Sequence, residues 1–305
     1  MRFEREQVTF DIAGVRVGGQ PGEWPTVLIG TIFYEGHRVV RDPARGAFDR
    51  EGAEALICGQ EEMSRLTGNP HMVDVFASTS EALCRYIDFV ADVTGAPFLV
   101  DSAAPAVRLS GMRHAVEAGL GERAVYNSID YRVEDGEVEA LREMGTRSAV
   151  LLAHNPRNAW PEGRVEILED REGRRGLLRA AEEAGIRNVL VDTSVLDVPS
   201  ISLASEAIHL VKSRLGLPAG CAPSNAVTTW KRAKEDLGPH ALDVCLASSA
   251  VLTQARGADF VLYGPIKYAD RVFPACALTD ALQAYQGRRQ GIKPKTGEHP
   301  LAKIL

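Results

Sequence analysis

The chain has 305 residues, 45% of them hydrophobic and 25% charged, with a formal net charge of -6. That length holds one sizeable core, and the nearly balanced charge excludes a basic nucleic-acid footprint and a disordered acidic tail, leaving small molecules and other proteins as partners. No apolar run approaches the roughly 20 residues needed to cross a bilayer, and acidic residues interrupt the N-terminus where a secretory signal would be apolar, so a cytoplasmic protein without membrane insertion is expected.

In chain order, Val8, Phe10 and Ile12 alternate with polar residues, Ala13-Gly14 supplies a turn, and Val15 and Val17 resume the pattern. This predicts a β-hairpin within residues 1–25, with too little to bury alone and so expected to cover the end of the fold opposite the active site. From residue 27, short β-branched runs alternate with amphipathic stretches. Strands are expected at 27–32, 71–76, 97–101, 124–127, 149–154, 188–192, 219–224 and 260–263. Helices are expected at 51–67, 79–93, 104–118, 135–144, 172–185, 199–215, 239–255 and 275–288. Within 79–93, Leu83, Ile87 and Val90 share one face, and Thr79 can cap the helix. Alternation of this kind predicts an α/β fold, a (β/α)8 TIM barrel over 27–288. The polar, basic segment 289–305 reads as a surface arm, and the whole chain as a single barrel domain.

Several of these strands end in a carboxylate or carboxamide: Asp101-Ser102, Asn127-Ser128, Asn155, Asp192 and Ser224-Asn225. In a barrel all five ends face one mouth, where binding and catalytic groups gather. A helix cap is the competing explanation for any one of them, Asp101 or Asn225 included. Two Asp and three Asn together instead supply the mixed donor and acceptor pattern that a planar pterin edge requires. Asp74, on the second strand, is either a ligand-binding carboxylate or a structural anchor, and His71 on the same strand is a further candidate for the mouth. His154 and Asn155 alternate, so one faces the barrel and the other the helices.

The five cysteines (Cys58, Cys84, Cys221, Cys245, Cys276) are scattered singly, without zinc-type spacing, so no bound metal is expected. No Gly-x-Gly-x-x-Gly follows a strand and no phosphate loop occurs, which disfavours redox and kinase roles. Ser102, His154 and Asp192 could assemble a hydrolytic triad, but no nucleophile elbow surrounds any serine.

Longer motifs carry a family resemblance. Asp11-Ile12-Ala13-Gly14, the run 18–30 that opens Gly18-Gly19-Gln20-Pro21-Gly22-Glu23-Trp24, and the run 258–266 containing Asp259-Phe260-Val261-Leu262-Tyr263-Gly264 resemble the H subunit of tetrahydromethanopterin S-methyltransferase. So do 86–92, 126–129 and Asn155-Pro156. A more distant likeness is to the methyltetrahydrofolate:corrinoid methyltransferases, pterin-binding barrels. Their Asp-Ser, Asn-Ser, Asn, Ile-Asp and Ser-Asn strand ends resemble Asp101-Ser102, Asn127-Ser128, Asn155, Val191-Asp192 and Ser224-Asn225. Where they carry Asp-x-Asn-x-Gly, this chain has Asp74-Val75-Phe76-Ala77.

The resemblance implies a methyltransferase that moves a methyl group between a corrinoid and the pterin nitrogen of a tetrahydrofolate-type carrier. Asp74, Asp101, Ser102, Asn127, Asn155, Asp192 and Ser224 would bind the pterin, with Asn225 next to the reacting nitrogen. The corrinoid (cobamide) would arrive on a separate corrinoid-binding protein, since this chain has no Asp-x-His-x-x-Gly cobalt-ligating motif, and related barrels are often homodimers. The archaeal protein of that family works in a membrane-bound complex with tetrahydromethanopterin, whereas soluble bacterial relatives use tetrahydrofolate. The arginine- and alanine-rich composition leans toward tetrahydrofolate. Other readings are a dihydropteroate synthase, with Lys267 near the leaving pyrophosphate, and a scaffold that only docks a corrinoid protein.

Overall fold

The computed structural model describes residues 1–305, the side chain of Lys234 excepted. An antiparallel hairpin, β1 (Thr9–Ile12) and β2 (Val15–Gly18), comes first, with Ala13 and Gly14 both at positive φ as its two-residue turn requires. Then follow β3 (Val27–Ile32), a small hairpin β4 (Val40–Asp42) and β5 (Ala47–Phe48), and α1 (Arg50–Thr67). After these come β6 (His71–Phe76), α2 (Ser80–Val93), β7 (Phe98–Asp101), α3 (Pro105–Glu117), β8 (Ala124–Ile129) and α4 (Asp135–Glu143). The second half runs β9 (Ser148–Leu152), α5 (Pro161–Glu166), α6 (Leu177–Glu183), β10 (Asn188–Asp192), α7 (Ser200–Arg214), β11 (Ala219–Cys221), α8 (Ser224–Val227), α9 (Lys231–Glu235) and α10 (Ala241–Ala255). The chain finishes with β12 (Phe260–Pro265), α11 (Ala269–Gly287) and α12 (Pro300–Lys303).

Strands β3, β6, β7, β8, β9, β10, β11 and β12 pair in parallel in sequence order and close into a barrel. Their outward residues pack under the helices in the main core, while the inward layer consists of Val27, Ile29, Met72, Leu99, Val125, Val150, Leu190, Phe260 and Leu262. Ile12 and Val17 of the hairpin belong to that inner cluster and are essentially inaccessible. The hairpin therefore plugs the end where the strands begin, as its alternating pattern predicts.

Most strands lie within two residues of their expected positions because buried parallel strands read as apolar runs. The seventh differs. Pro223, without an N–H, cannot extend β11, and Ser224 opens α8 instead. Thr79 caps α2 by accepting from the Ala82 amide. The helix expected from 172 begins only at Leu177, because Arg171 and Arg174 pair across a turn with Gly173 at φ 71°. The segment after α11 is not a free arm: Ile292 and His299 are buried, Lys295 pairs with Glu23, and α12 packs on α1 and α11. Among the described residues no helix is long and apolar enough to cross a membrane.

Candidate active site

Side chains alternate across a strand, so the positions two residues beyond the apolar inner layer also face inward. These are Thr31, Asp74, Asp101, Asn127, Leu152, Asp192 and Gly264. One step along each strand thus turns an apolar barrel interior into a polar mouth holding three carboxylates, a carboxamide and a hydroxyl. Register places Thr31 beside Asp74, and Asp101 beside Asn127.

The Thr31 hydroxyl donates to Asp74 Oδ2 at 2.8 Å and the Asn127 amide to Oδ1 at 3.4 Å. Burial still pushes the Asp74 carboxyl up to about 6, against those two hydrogen bonds and with Asp192 adding repulsion. Asp192 accepts from the Ser194 amide at 2.7 Å and is likewise raised to about 6, chiefly by burial, with Arg164 opposing. Asp101 is raised well above the usual carboxylate range by burial and then by Asp74, with Arg108 opposing. Three like charges resist ionising together in so small a buried volume, and burial, Asp74 and Asp192 all favour the protonated form of Asp101.

Contrast Asp280 at the opposite end. It is as deeply buried but accepts from the Thr26 amide and hydroxyl and from Asn69, so its lone pairs are spent inside the fold. Those of Asp101 and Asp192 are largely unspent and open to a ligand.

Two buried arginines stand behind this layer. Arg108 donates to the Ser102 carbonyl and lies 3.6 Å from Glu137; Arg164 donates to the carbonyls of Thr193 and Ser194 at 2.7 Å each. They hold the loops after β7 and β10, which carry Asp101 and Asp192. The sequence offers no signal for either arginine, nor for Thr31.

Of the other expected site residues, Ser224 is buried and donates to the Leu262 carbonyl; Gly264 lies so close that a Cβ there would collide with it. Asn225 is exposed and lines a cavity of about 380 Å³ with Thr31, Tyr34, Lys267 and Tyr268. The helix it belongs to has no side-chain cap, so the cap explanation fails for Asn225. It fails for Asp101 too, because Ala104 occupies the cap position of α3 without a side-chain bond. Ser102 is buried, its hydroxyl reaching the Ala104 amide at 3.4 Å.

Asn155 is different. Its amide donates to the Gly163 carbonyl and its oxygen accepts from the Arg157 amide, so both polar ends shape the loop rather than face the mouth. β9 ends at Leu152, so strand alternation does not decide between His154 and Asn155; the His154 ring meets Tyr131 edge-on. His71 sits where β6 begins, at the closed end beside Glu61, and does not reach the mouth.

The chain thus forms an eight-stranded (β/α)8 barrel with a polar, carboxylate-rich mouth. Among solved structures, the barrel is similar to dihydropteroate synthase from Xanthomonas albilineans in complex with 7,8-dihydropteroate, with TM-score 0.60 and 20% identity over 90% of this chain and 98% of that one. It is also similar to the Yersinia pestis dihydropteroate synthase, with TM-score 0.60 and 16% identity over 92% and 100%. At that identity the likeness concerns the fold. Residues 5–295 match the family described as tetrahydromethanopterin S-methyltransferase MtrH subunit, and the chain belongs to that methyltransferase family. Relatives include the tetrahydromethanopterin S-methyltransferase H protein of Methanothermobacter thermautotrophicus, 43% identical over 100% of this chain and 99% of that protein. The Methanopyrus kandleri protein of the same name is 43% identical over 97% of each.

Proposed function

We propose that the protein transfers a methyl group between a tetrahydropterin carrier and a corrinoid held on a partner protein. The relatives' names favour tetrahydromethanopterin over the tetrahydrofolate that composition suggests, so the carrier is taken to be tetrahydromethanopterin. The observation that carries the reading is the inward layer of Asp74, Asp101, Asn127 and Asp192, whose carboxyl groups are buried but under-used.

The amino and amide hydrogens of a pterin would be accepted by the Asp192 and Asp74 carboxylates, while the Asn127 amide, and Asp101 in the protonated form that its burial favours, would donate to its carbonyl and ring nitrogens. Fixing the ring this way leaves the methyl-bearing nitrogen facing out of the mouth, where a positioned nucleophile gains most from the removal of orientational entropy. Asn225 would hydrogen-bond that nitrogen, and the corrinoid, when docked, supplies cobalt as the methyl acceptor or donor. When the carrier is demethylated its nitrogen takes up a proton, which the neutral Asn225 amide cannot provide and water or a mouth carboxylic acid can. Asn155 is assigned to the loop and not to the ring. Self-association as a homodimer through the outer faces of α10 and α11 belongs to the same proposal.

Calorimetry with tetrahydromethanopterin and with tetrahydrofolate, followed by methyl transfer from methylcobalamin, tests the function. Binding of either carrier without any methyl transfer would favour a scaffold or a condensing enzyme and sink the methyltransferase reading. Tighter binding of tetrahydrofolate would overturn the choice of carrier.

A further inference from the structure

The connection from β9 to α6 spans residues 153–176, broken only by the short α5. Connections of that length in compact domains are usually functional. Here the excursion lines a cavity of about 810 Å³ together with Tyr131 and Asp135, and Arg157, Arg171, Arg174 and Arg175 stand in it beside Glu166. The cavity lies beyond the C-terminal end of β9, whose last residue Leu152 belongs to the mouth layer, and Asn155, three residues on, lines it.

Four arginines at one rim stand out on a chain of net charge -6. Arg175 is balanced by Asp135 and Glu183, and Arg171 by Glu166. Arg174 donates only to backbone carbonyls, those of Glu166 and Glu169, and among the described residues no carboxylate lies within ion-pair distance of Arg157. Asp135 and Glu166 also line the cavity, but they pair with Arg175 and Arg171, so the guanidinium groups of Arg157 and Arg174 face it without an ion pair of their own among the described residues. Tyr131, half-exposed and edge-on to His154 at 5.7 Å between ring centres, lines the same cavity as these arginines.

We infer that this cavity is the subsite for the anionic tail of the pterin carrier, with Tyr131 against the aryl ring and Arg157 and Arg174 on the terminal acid groups. The inference rests on the function proposed above. Guanidinium pairs carboxylate and phosphate oxygens with directed, charge-assisted hydrogen bonds, so the shared chemistry is an oxyanion at the end of an aryl-bearing tail. Glutamyl carboxylates and a phosphodiester are its two sources.

Competition calorimetry should compare 6-methyltetrahydropterin, which has no tail, with tetrahydrofolate, tetrahydrofolate triglutamate and tetrahydromethanopterin, at low and high salt. The tailed ligands should bind about tenfold or more tighter than the tailless one, and the gap should shrink at high salt. In Arg157→Gln and Arg157→Glu the gap should narrow several-fold, while 6-methyltetrahydropterin affinity and the melting temperature stay unchanged. Arg157 is exposed and its side chain holds no loop together, so these variants should fold. Whichever tail gives the larger Arg157-dependent gain identifies the oxyanion. Equal binding of tailed and tailless ligands, or a gap indifferent to Arg157→Glu and to salt, overturns the subsite and leaves the functional reading standing. If even 6-methyltetrahydropterin and the tailed carriers all fail to bind, the functional reading falls and the subsite with it.

Discussion

Asp192 and Asp280 are both buried carboxylates raised to about 6, yet only Asp192 keeps unspent lone pairs facing the mouth. Holding an under-solvated carboxylate there costs stability that ligand binding offsets. A raised acid makes its stabilising contribution below its unfolded pKa and loses it as pH rises through about 6. Asp192→Asn should therefore raise the melting temperature of the ligand-free protein at pH 7.5 by a few degrees, on the order of 1–2 kcal/mol. Wild type and variant should converge below pH 5. The same variant should lose pterin affinity at least about tenfold, because the amide nitrogen opposes a donor. Thermal scans across pH together with calorimetry check both halves, and a variant less stable than wild type at pH 7.5 would return Asp192 to a structural role. For Asn225→Ala, the expected loss is about 10² in turnover with little change in affinity or melting temperature, since the residue caps nothing and would act on the reacting nitrogen. Steady-state kinetics with methylcobalamin would show it, and a fall in affinity equal to the fall in rate would instead make Asn225 a ground-state contact. The polar strand ends are legible because each interrupts an apolar run. The role of Asn155 is not legible in the same way, because an apolar run does not show where its strand stops: β9 ends at Leu152 and the His154 amide already turns back to the Leu152 carbonyl, so alternation does not carry on to Asn155.

At the scale of elements, the closed end of the barrel depends on one ion pair that no periodicity reveals. Lys212 of α7 is fully buried and its ammonium contacts Asp259 Oδ1 at 2.6 Å, Oδ2 at 2.8 Å and the Gly19 carbonyl at 2.8 Å. Asp259 also accepts from the Ala219 amide, so the pair ties α7, the hairpin's exit, and the starts of β11 and β12 together. Lys212→Met should destabilise by about 3–5 kcal/mol, because it strands a buried carboxylate. Adding Asp259→Asn should restore part of that loss. Denaturant unfolding of the single and double variants measures the coupling, and additive losses would mean that the two residues act independently. Asp259 falls inside a recognisable motif, but its partner lies 47 residues away, a separation that no local pattern bridges. The short helices α5, α8 and α9 escape for a related reason: four to six residues are too few to show a 3.6-residue period.

At the scale of the whole molecule, the outer faces of α10 and α11 are unusually apolar. Leu278, Leu282 and Tyr285 recur at helical spacing along α11 and are 49%, 58% and 65% exposed, and on the neighbouring α10 Val244 and Leu252 are 60% and 44% exposed. Scattered surface leucines need no explanation, but an exposed apolar stripe along α11, on a helix packed against one that also exposes Val244 and Leu252, is the kind of surface that marks an interface. A patch on the barrel's flank leaves the mouth clear for a corrinoid-bearing partner. A second copy can use the same face by two-fold symmetry, which closes the assembly at two and leaves no unsatisfied patch for further growth. We expect the purified protein to sediment as a dimer. Leu282→Arg should shift it toward monomer, because a charge placed on the axis side of an isologous face meets its own copy. Pterin affinity should survive, since no residue of this face lines the mouth. Sedimentation equilibrium with calorimetry on the same variant separates the cases: an unchanged dimer moves the interface elsewhere, and a monomeric wild type removes it.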